Sequence, residues 1–113
     1  MAQNNVMGSL TMCRRAGKLQ LGMDTMKDSC ANKTAKIVLV ANDISPKTLK
    51  EVKYVCAKHK IELYDLEVDM NEVGYNLGKR VGIVAICDNG FAKKIKTILK
   101  KIENDTVITS DWM

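Results

Sequence analysis

Two short runs are almost wholly apolar, Ile37-Val38-Leu39-Val40-Ala41 and Val81-Gly82-Ile83-Val84-Ala85-Ile86-Cys87. Both are rich in β-branched residues, and neither alternates apolar with polar positions. That pattern belongs to strands covered on both faces. Each run leads into a turn and then a helix start. After the first stands Asn42-Asp43-Ile44-Ser45-Pro46, with Ser45 as N-cap and Pro46 at the first helical position. This predicts a helix from about Pro46 to Lys60 that buries Leu49, Val52, Val55 and Cys56. After the second, Asp88-Asn89-Gly90 opens a helix expected to reach Ile102. Phe91, Ile95, Ile98, Leu99 and Ile102 share its apolar stripe, and Lys93, Lys94, Lys96, Lys100 and Lys101 face solvent.

The remaining segments fit around these two strands. Ile61 to Leu66 alternates as a shorter strand, with Ile61, Leu63 and Asp65 on one face and Glu62, Tyr64 and Leu66 on the other. A helix from Asp69 to Leu77, ended by Gly78, follows. Upstream, Val6, Leu10, Cys13 and Ala16 recur at helical spacing, with Gly17 as a stop. Lys18 to Leu21 reads as a short strand, and Gly22 to Asn32 as a helix burying Met23, Met26 and Cys30. Strands alternating with helices around doubly covered central strands make a three-layer α/β/α sandwich. A chain of 113 residues is sized for one domain. Its expected extent is 1–103, with 104–113 as a tail that carries Trp112 and either adds a small strand or stays loose.

Several classes are excluded by what is missing. No apolar run approaches the roughly 18–20 residues that span a bilayer. The first residues lack the charged start and apolar stretch of a secretory signal. Cys13, Cys30, Cys56 and Cys87 form no C-x-x-C pair and His59 is the one histidine, so no metal site is expected. Lone cysteines in apolar stretches act as small buried hydrophobes. The chain reads as a reduced, cytoplasmic, membrane-free protein. There is no G-x-G-x-x-G, no G-x-x-x-x-G-K-S/T, no G-x-S-x-G and no H-E-x-x-H. Asp43 and Asp88 end strands, where doubly wound folds hold ligands, but their simpler role is to cap turns and helices. No enzyme and no cofactor is expected.

Charge supplies the positive signal. The net charge of +5 is unevenly spread: residues 1–36 carry +4 and residues 79–101 carry +6, whereas 43–72 and 102–113 are acidic. Two basic segments point to a polyanionic partner, nucleic acid being the commonest. Arg14, Arg15 and Lys18 surround a helix end and turn. Gly22-Met23-Asp24-Thr25-Met26-Lys27 opens a helix whose free N–H groups can meet a phosphate or base oxygen. Lys79, Arg80 and Val81 form a basic turn flanked by Gly78 and Gly82. Five aromatic residues are too few for a single-strand stacking platform, which favours structured RNA.

Four segments carry a family resemblance: Met12-Cys13-Arg14-Arg15-Ala16-Gly17-Lys18-Leu19-Gln20-Leu21-Gly22, Ala35-Lys36-Ile37-Val38-Leu39-Val40-Ala41-Asn42-Asp43, Leu77-Gly78-Lys79, and Ala85-Ile86-Cys87-Asp88-Asn89-Gly90-Phe91-Ala92-Lys93-Lys94. Together they resemble the kink-turn RNA-binding ribosomal protein family L-seven-Ae/L-thirty-e, in its bacterial YlxQ-like branch, over roughly residues 4–102. The resemblance implies a four-stranded mixed sheet inside the sandwich. It also implies a protein acting mostly as a monomer on a kink-turn or related internal loop, with the ribosome as a partner. In the family's strand-to-helix motif Gly-Thr-Asn-Glu-x-x-Lys, Gly22 keeps its place. Asp24, Thr25 and Asp28 stand where Asn, Glu and Lys would be, and Lys27 lies beside the last of these. Lys36 takes the place of a basic residue before the central strand. Asn42 and Asp43 fall near a splayed base, and Lys79, Arg80 and Val81 belong to the loop that packs on a protruding nucleotide. The resulting RNA face comprises Arg14, Arg15, Lys18, Gly22, Met23, Asp24, Thr25, Lys27, Lys36, Asn42, Asp43, Lys79, Arg80 and Val81. A protein-interaction module on the same scaffold, without specific RNA recognition, is the alternative, and Thr25 and Asp28 favour it.

Overall fold

The computed structural model describes residues 6–107. In chain order these form α1 (Val6–Arg15), β1 (Leu19–Leu21), α2 (Met23–Ala31), β2 (Ile37–Val40), α3 (Pro46–His59), β3 (Glu62–Asp65), α4 (Met70–Leu77), β4 (Ile83–Ile86), α5 (Asn89–Lys96) and β5 (Lys100–Lys101). The helix starts have the local chemistry that the sequence announces. The Ser45 side chain accepts from Thr48 N at 3.1 Å, Asp69 from Glu72 N at 2.8 Å, and Asp88 from Phe91 N at 2.8 Å. Each carboxylate or hydroxyl satisfies an N–H with no intrahelical partner.

The sheet runs β1-β4-β2-β3-β5. β2 and β3 are parallel, with Val38 opposite Leu63, and β4 is antiparallel to both of its neighbours, β1 and β2. Alternation along the central strands divides the core. Ile37, Leu39, Val84 and Ile86 pack with Val6, Leu10 and Cys13 of α1, Val73 and Leu77 of α4, and Ile95 of α5. Val38, Val40, Ile83 and Ala85 pack with Met26 and Cys30 of α2 and Val52, Val55 and Cys56 of α3. Every residue of β2 and β4 is therefore buried, and the molecule is the expected α/β/α sandwich.

Five strands are present where four were expected, and one helix accounts for the difference. α5 stops at Lys96, with Thr97 as its C-cap, instead of continuing to Ile102. Ile98 and Leu99 still reach the α1 side of the sheet, but Ile102 packs on the opposite side and donates its N–H to Leu63 O at 2.8 Å. One helix lying on one face cannot deliver side chains to both, so the chain turns and adds β5, pairing Lys101 with Tyr64. Lys96 and Lys101 both reach Glu62, at 3.0 and 3.3 Å, and hold that carboxyl below its usual range. Ala16, expected in the core, is exposed beyond the end of α1. In the tail, Asn104 donates to Lys53 O at 2.9 Å and so docks on α3. Trp112 lies outside the described residues.

Candidate nucleic-acid interface

With β1, β2 and β3 running one way and β4 the other, the sheet has two distinct ends. One rim collects the carboxyl ends of β1, β2 and β3 and the amino end of β4. Gly22 lies there between β1 and α2, with φ 102° and ψ 166°, a region open essentially to glycine alone. Its N–H donates to Ile83 O at 2.9 Å, which ties the start of α2 to β4. A Cβ at Gly22 would lie 4.0 Å from Val81 Cγ1, so the glycine hinge and the apolar tip of the 78–82 loop are neighbours. α2 has no side-chain cap. Its first three N–H groups, from Met23, Asp24 and Thr25, therefore point out of the helix end without a capping acceptor.

The neighbouring loops are fastened to this rim by specific bonds. Ala41 N donates to Gly82 O at 2.8 Å, Asn42 N to Val68 O at 2.9 Å, and Met70 N to the Asp43 carboxylate at 3.0 Å. Asp43 thus acts as a cap, as its sequence position suggested. A Cβ on Gly82 would collide with Ile44 Cγ2 and come within 3.2 Å of Met70 Sδ. Around this close approach lies a concavity of about 330 Å³, lined by Asp43, Ser45, Thr48, Ile44, Met70, Gly82 and Ile83. Arg80 donates from Nε to Asn71 Oδ1 at 2.8 Å, which holds its guanidinium along α4. Arg14 reaches the same loop from α1, its Nη1 3.3 Å from where a Gly78 Cβ would stand. Exposed Arg15 follows it in the last turn of α1.

The structure therefore brings Gly22, Met23, Asp24, Asn42, Asp43, Arg80 and Val81 to one rim, with Lys79 exposed beside them. Two expected contacts are otherwise engaged, and the departure at Asp28 lies off the rim. The Thr25 hydroxyl turns back to Leu21 O at 2.7 Å. Lys27 pairs with Glu51 of α3, a contact that also raises its pKa. Asp28 lies along the flank of α2 with Gln20, Asn32 and Thr34.

Lys18 and Lys36 do not join this rim. Lys18 O accepts from Cys87 N at 2.8 Å, and Lys36 N donates to Ile86 O at 2.7 Å, so both stand at the opposite end of the sheet. Three-residue and four-residue strands separate the two ends by roughly 10–13 Å at about 3.3 Å per residue. The expected single face is thus divided, because a residue before a strand and a residue after it cannot share a rim. The charge is divided with it. Asp24, Asp43, Asp65, Glu67, Asp69 and Glu72 populate the glycine-hinged rim beside Lys79 and Arg80, and Lys18, Lys33, Lys36, Lys58 and Lys60 gather at the other.

Sequence reading missed Ile44 and Met70 as rim residues. The one available signal was an apolar Ile44 interrupting the polar turn 42–45. Burial pushes the thiols of Cys13 and Cys30 up to about 11 and that of Cys56 to about 12. These cysteines are inert core residues at neutral pH. No helix among the described residues is long and apolar enough to cross a membrane.

Comparisons with known proteins converge. A sequence model of the ribosomal protein L7Ae/L30e/S12e/Gadd45 family matches residues 4–96. The RNA-binding protein YlxQ of Enterococcus faecium is 35% identical over 98 residues, covering 87% of this chain and 94% of that protein. YlxQ of Bacillus subtilis (strain 168) is 33% identical over 91 residues, covering 80% and 90%. The large ribosomal subunit protein eL30 of Oryza sativa subsp. japonica is 28% identical over 96 residues, covering 83% and 86%. A solved structure of a protein of unknown function from Bacillus halodurans C superposes with TM-score 0.75 at 20% identity, covering 82% of this chain and 94% of that one, and shares the fold.

Proposed function

The chain belongs to the ribosomal protein L7Ae/L30e/S12e/Gadd45 family, and from that premise we propose that it is a non-catalytic RNA-binding protein that reads a kink-turn or related internal loop with its glycine-hinged rim. The observation that carries this reading is the uncapped start of α2 behind Gly22, next to Val81 and the concavity floored by Ile44, Met70 and Ile83. Backbone N–H groups at a helix start suit phosphate or base oxygens. An apolar hollow with polar edges suits a base that has left its stack. Asp24 and Asp43 offer acceptors to base amino and imino groups, a role that carboxylates fill in base-edge readout. Lys79 and Arg80 supply cations in the 78–82 loop beside Val81, and Arg14 reaches the same loop from α1.

Relatives named as RNA-binding and as large-subunit ribosomal proteins support RNA as the partner and a non-catalytic role. We place the protein in the cytoplasm as a monomer associated with ribosomal or another structured RNA, with the tail from residue 104 as an appendage to the domain. Calorimetric titration with a kink-turn RNA and with a variant whose sheared G·A pairs are replaced tests the reading. The intact motif should bind at least tenfold more tightly. The carboxylate-rich rim and the Lys27–Glu51 pair favour one other reading, a protein-interaction module. Failure to bind either RNA at low salt is its expected result.

A further inference from the structure

The end of the sheet opposite the glycine-hinged rim gathers cations from separate segments. Lys18 precedes β1, Lys33 and Lys36 occupy the turn before β2, and Lys58 and Lys60 close α3 before β3. The backbone bonds from Cys87 to Lys18 O and from Lys36 to Ile86 O set these turns side by side. Two concavities of about 400 Å³ open here. One is lined by Lys33, Lys58, His59 and Lys60, the other by Lys36, Lys93 and Lys96, and they meet at Ala35. No carboxylate lines either. Lys96 is committed to Glu62, whereas Lys33, Lys36, Lys58, Lys60 and Lys93 form no ion pair among the described residues.

A second, independent observation concerns the backbone. Three non-glycine residues have positive φ, and two of them are Lys33 at 68° and Lys60 at 60°. Both follow helix ends, where glycine is the ordinary occupant because an L side chain is disfavoured there. The fold would be served better by glycine, so what lysine adds at these positions is its charge. Neutralising helix carbonyls accounts for a cation at the end of α3, but not for Lys36, which directly precedes a strand.

We propose that this end of the molecule is a second, sequence-independent site that grips the phosphodiester backbone of an RNA duplex. From β1 across β4 and β2 to β3 the row of turns spans about 14 Å at roughly 4.8 Å per strand. That is too long for one phosphate group and suits consecutive phosphates. The inference needs no kink-turn recognition and none of the rim residues; of the residues expected from the family resemblance it takes only Lys18 and Lys36, which stand at this end. Phosphate contacts position a nucleic acid and base contacts specify it. The two ends of this sheet separate those tasks.

The test measures binding of a plain A-form RNA duplex, without any internal loop, across a range of salt concentrations. Lys33→Gly with Lys60→Gly should weaken duplex binding severalfold and flatten the slope of log affinity against log salt by about 2. The same double variant should raise the melting temperature, which separates lost charge from lost structure. Lys50→Gln with Lys100→Gln removes the same charge elsewhere and should leave both readouts near wild type. Unchanged duplex affinity in the first variant, or an equal fall in the second, overturns the proposal. Loss of discrimination between kinked and altered RNA with duplex binding intact would instead defeat the rim reading alone.

Discussion

Replacing Gly22 by alanine puts a price on the hinge that aims α2 at the rim. At φ 102° and ψ 166° a Cβ-bearing residue is strained by about 1–3 kcal/mol. Steric crowding adds little, because the nearest atom to the new methyl group, Val81 Cγ1, is 4.0 Å away. The cost is therefore conformational, near 2 kcal/mol. An unfolding entropy of about 2.1 cal/mol/K per residue over this chain gives roughly 0.24 kcal/mol/K, so the melting temperature should fall by about 8 °C. Gly8→Ala supplies a control of opposite sign. Gly8 lies within α1 with no atom within 4 Å of a new Cβ. Alanine there should stabilise by roughly 0.5–1 kcal/mol. Both are read by thermal and urea denaturation followed by circular dichroism. A Gly22→Ala protein melting within a degree or two of wild type would refute the strain assigned to this position.

Other expectations follow from particular contacts. Asp88→Ala removes the cap on Phe91 N and should cost about 1 kcal/mol by urea denaturation. Lys79→Ala with Arg80→Ala should weaken RNA binding while barely moving the melting temperature, since the one side-chain bond lost, Arg80 to Asn71, is exposed. Burial pushes the Cys13, Cys30 and Cys56 thiols up from the ordinary 9.0 to about 11, 11 and 12. The folded state therefore keeps protons that the unfolded chain loses, so stability is full below pH 9 and falls as pH rises towards 12. Denaturant midpoints at pH 8 and pH 10 check that sign. For the same reason a thiol reagent at pH 8 should label half-buried Cys87 first and the other three only on unfolding.

The layers were legible because the apolar runs of β2 and β4 lack alternation, and only double coverage makes that pattern stable. The helix starts were legible because Ser45, Asp69 and Asp88 are caps whose chemistry is local. β5 was not. Ile98, Leu99 and Ile102 keep helical spacing while the chain changes face, and spacing carries no information on which face is reached. The interface was half legible. Gly22, Asn42, Asp43 and Val81 follow β1 or β2 or precede the oppositely directed β4 and meet on one rim, whereas Lys18 and Lys36 precede β1 and β2 and so stand at the other end. Assigning these residues to rims required the direction of β4, a long-range pairing that local composition does not encode. The concavity at Ile44, Met70 and Gly82 joins three segments distant in sequence and was invisible for the same reason.

Backbone amide shifts recorded while a kink-turn RNA is titrated into the labelled protein test the central claim most directly. The rim account predicts the largest changes at Gly22, Met23, Asp24, Thr25, Val81 and Gly82. Changes confined to the turns at Lys18, Lys36 and Lys60, or none at saturating RNA, would contradict it.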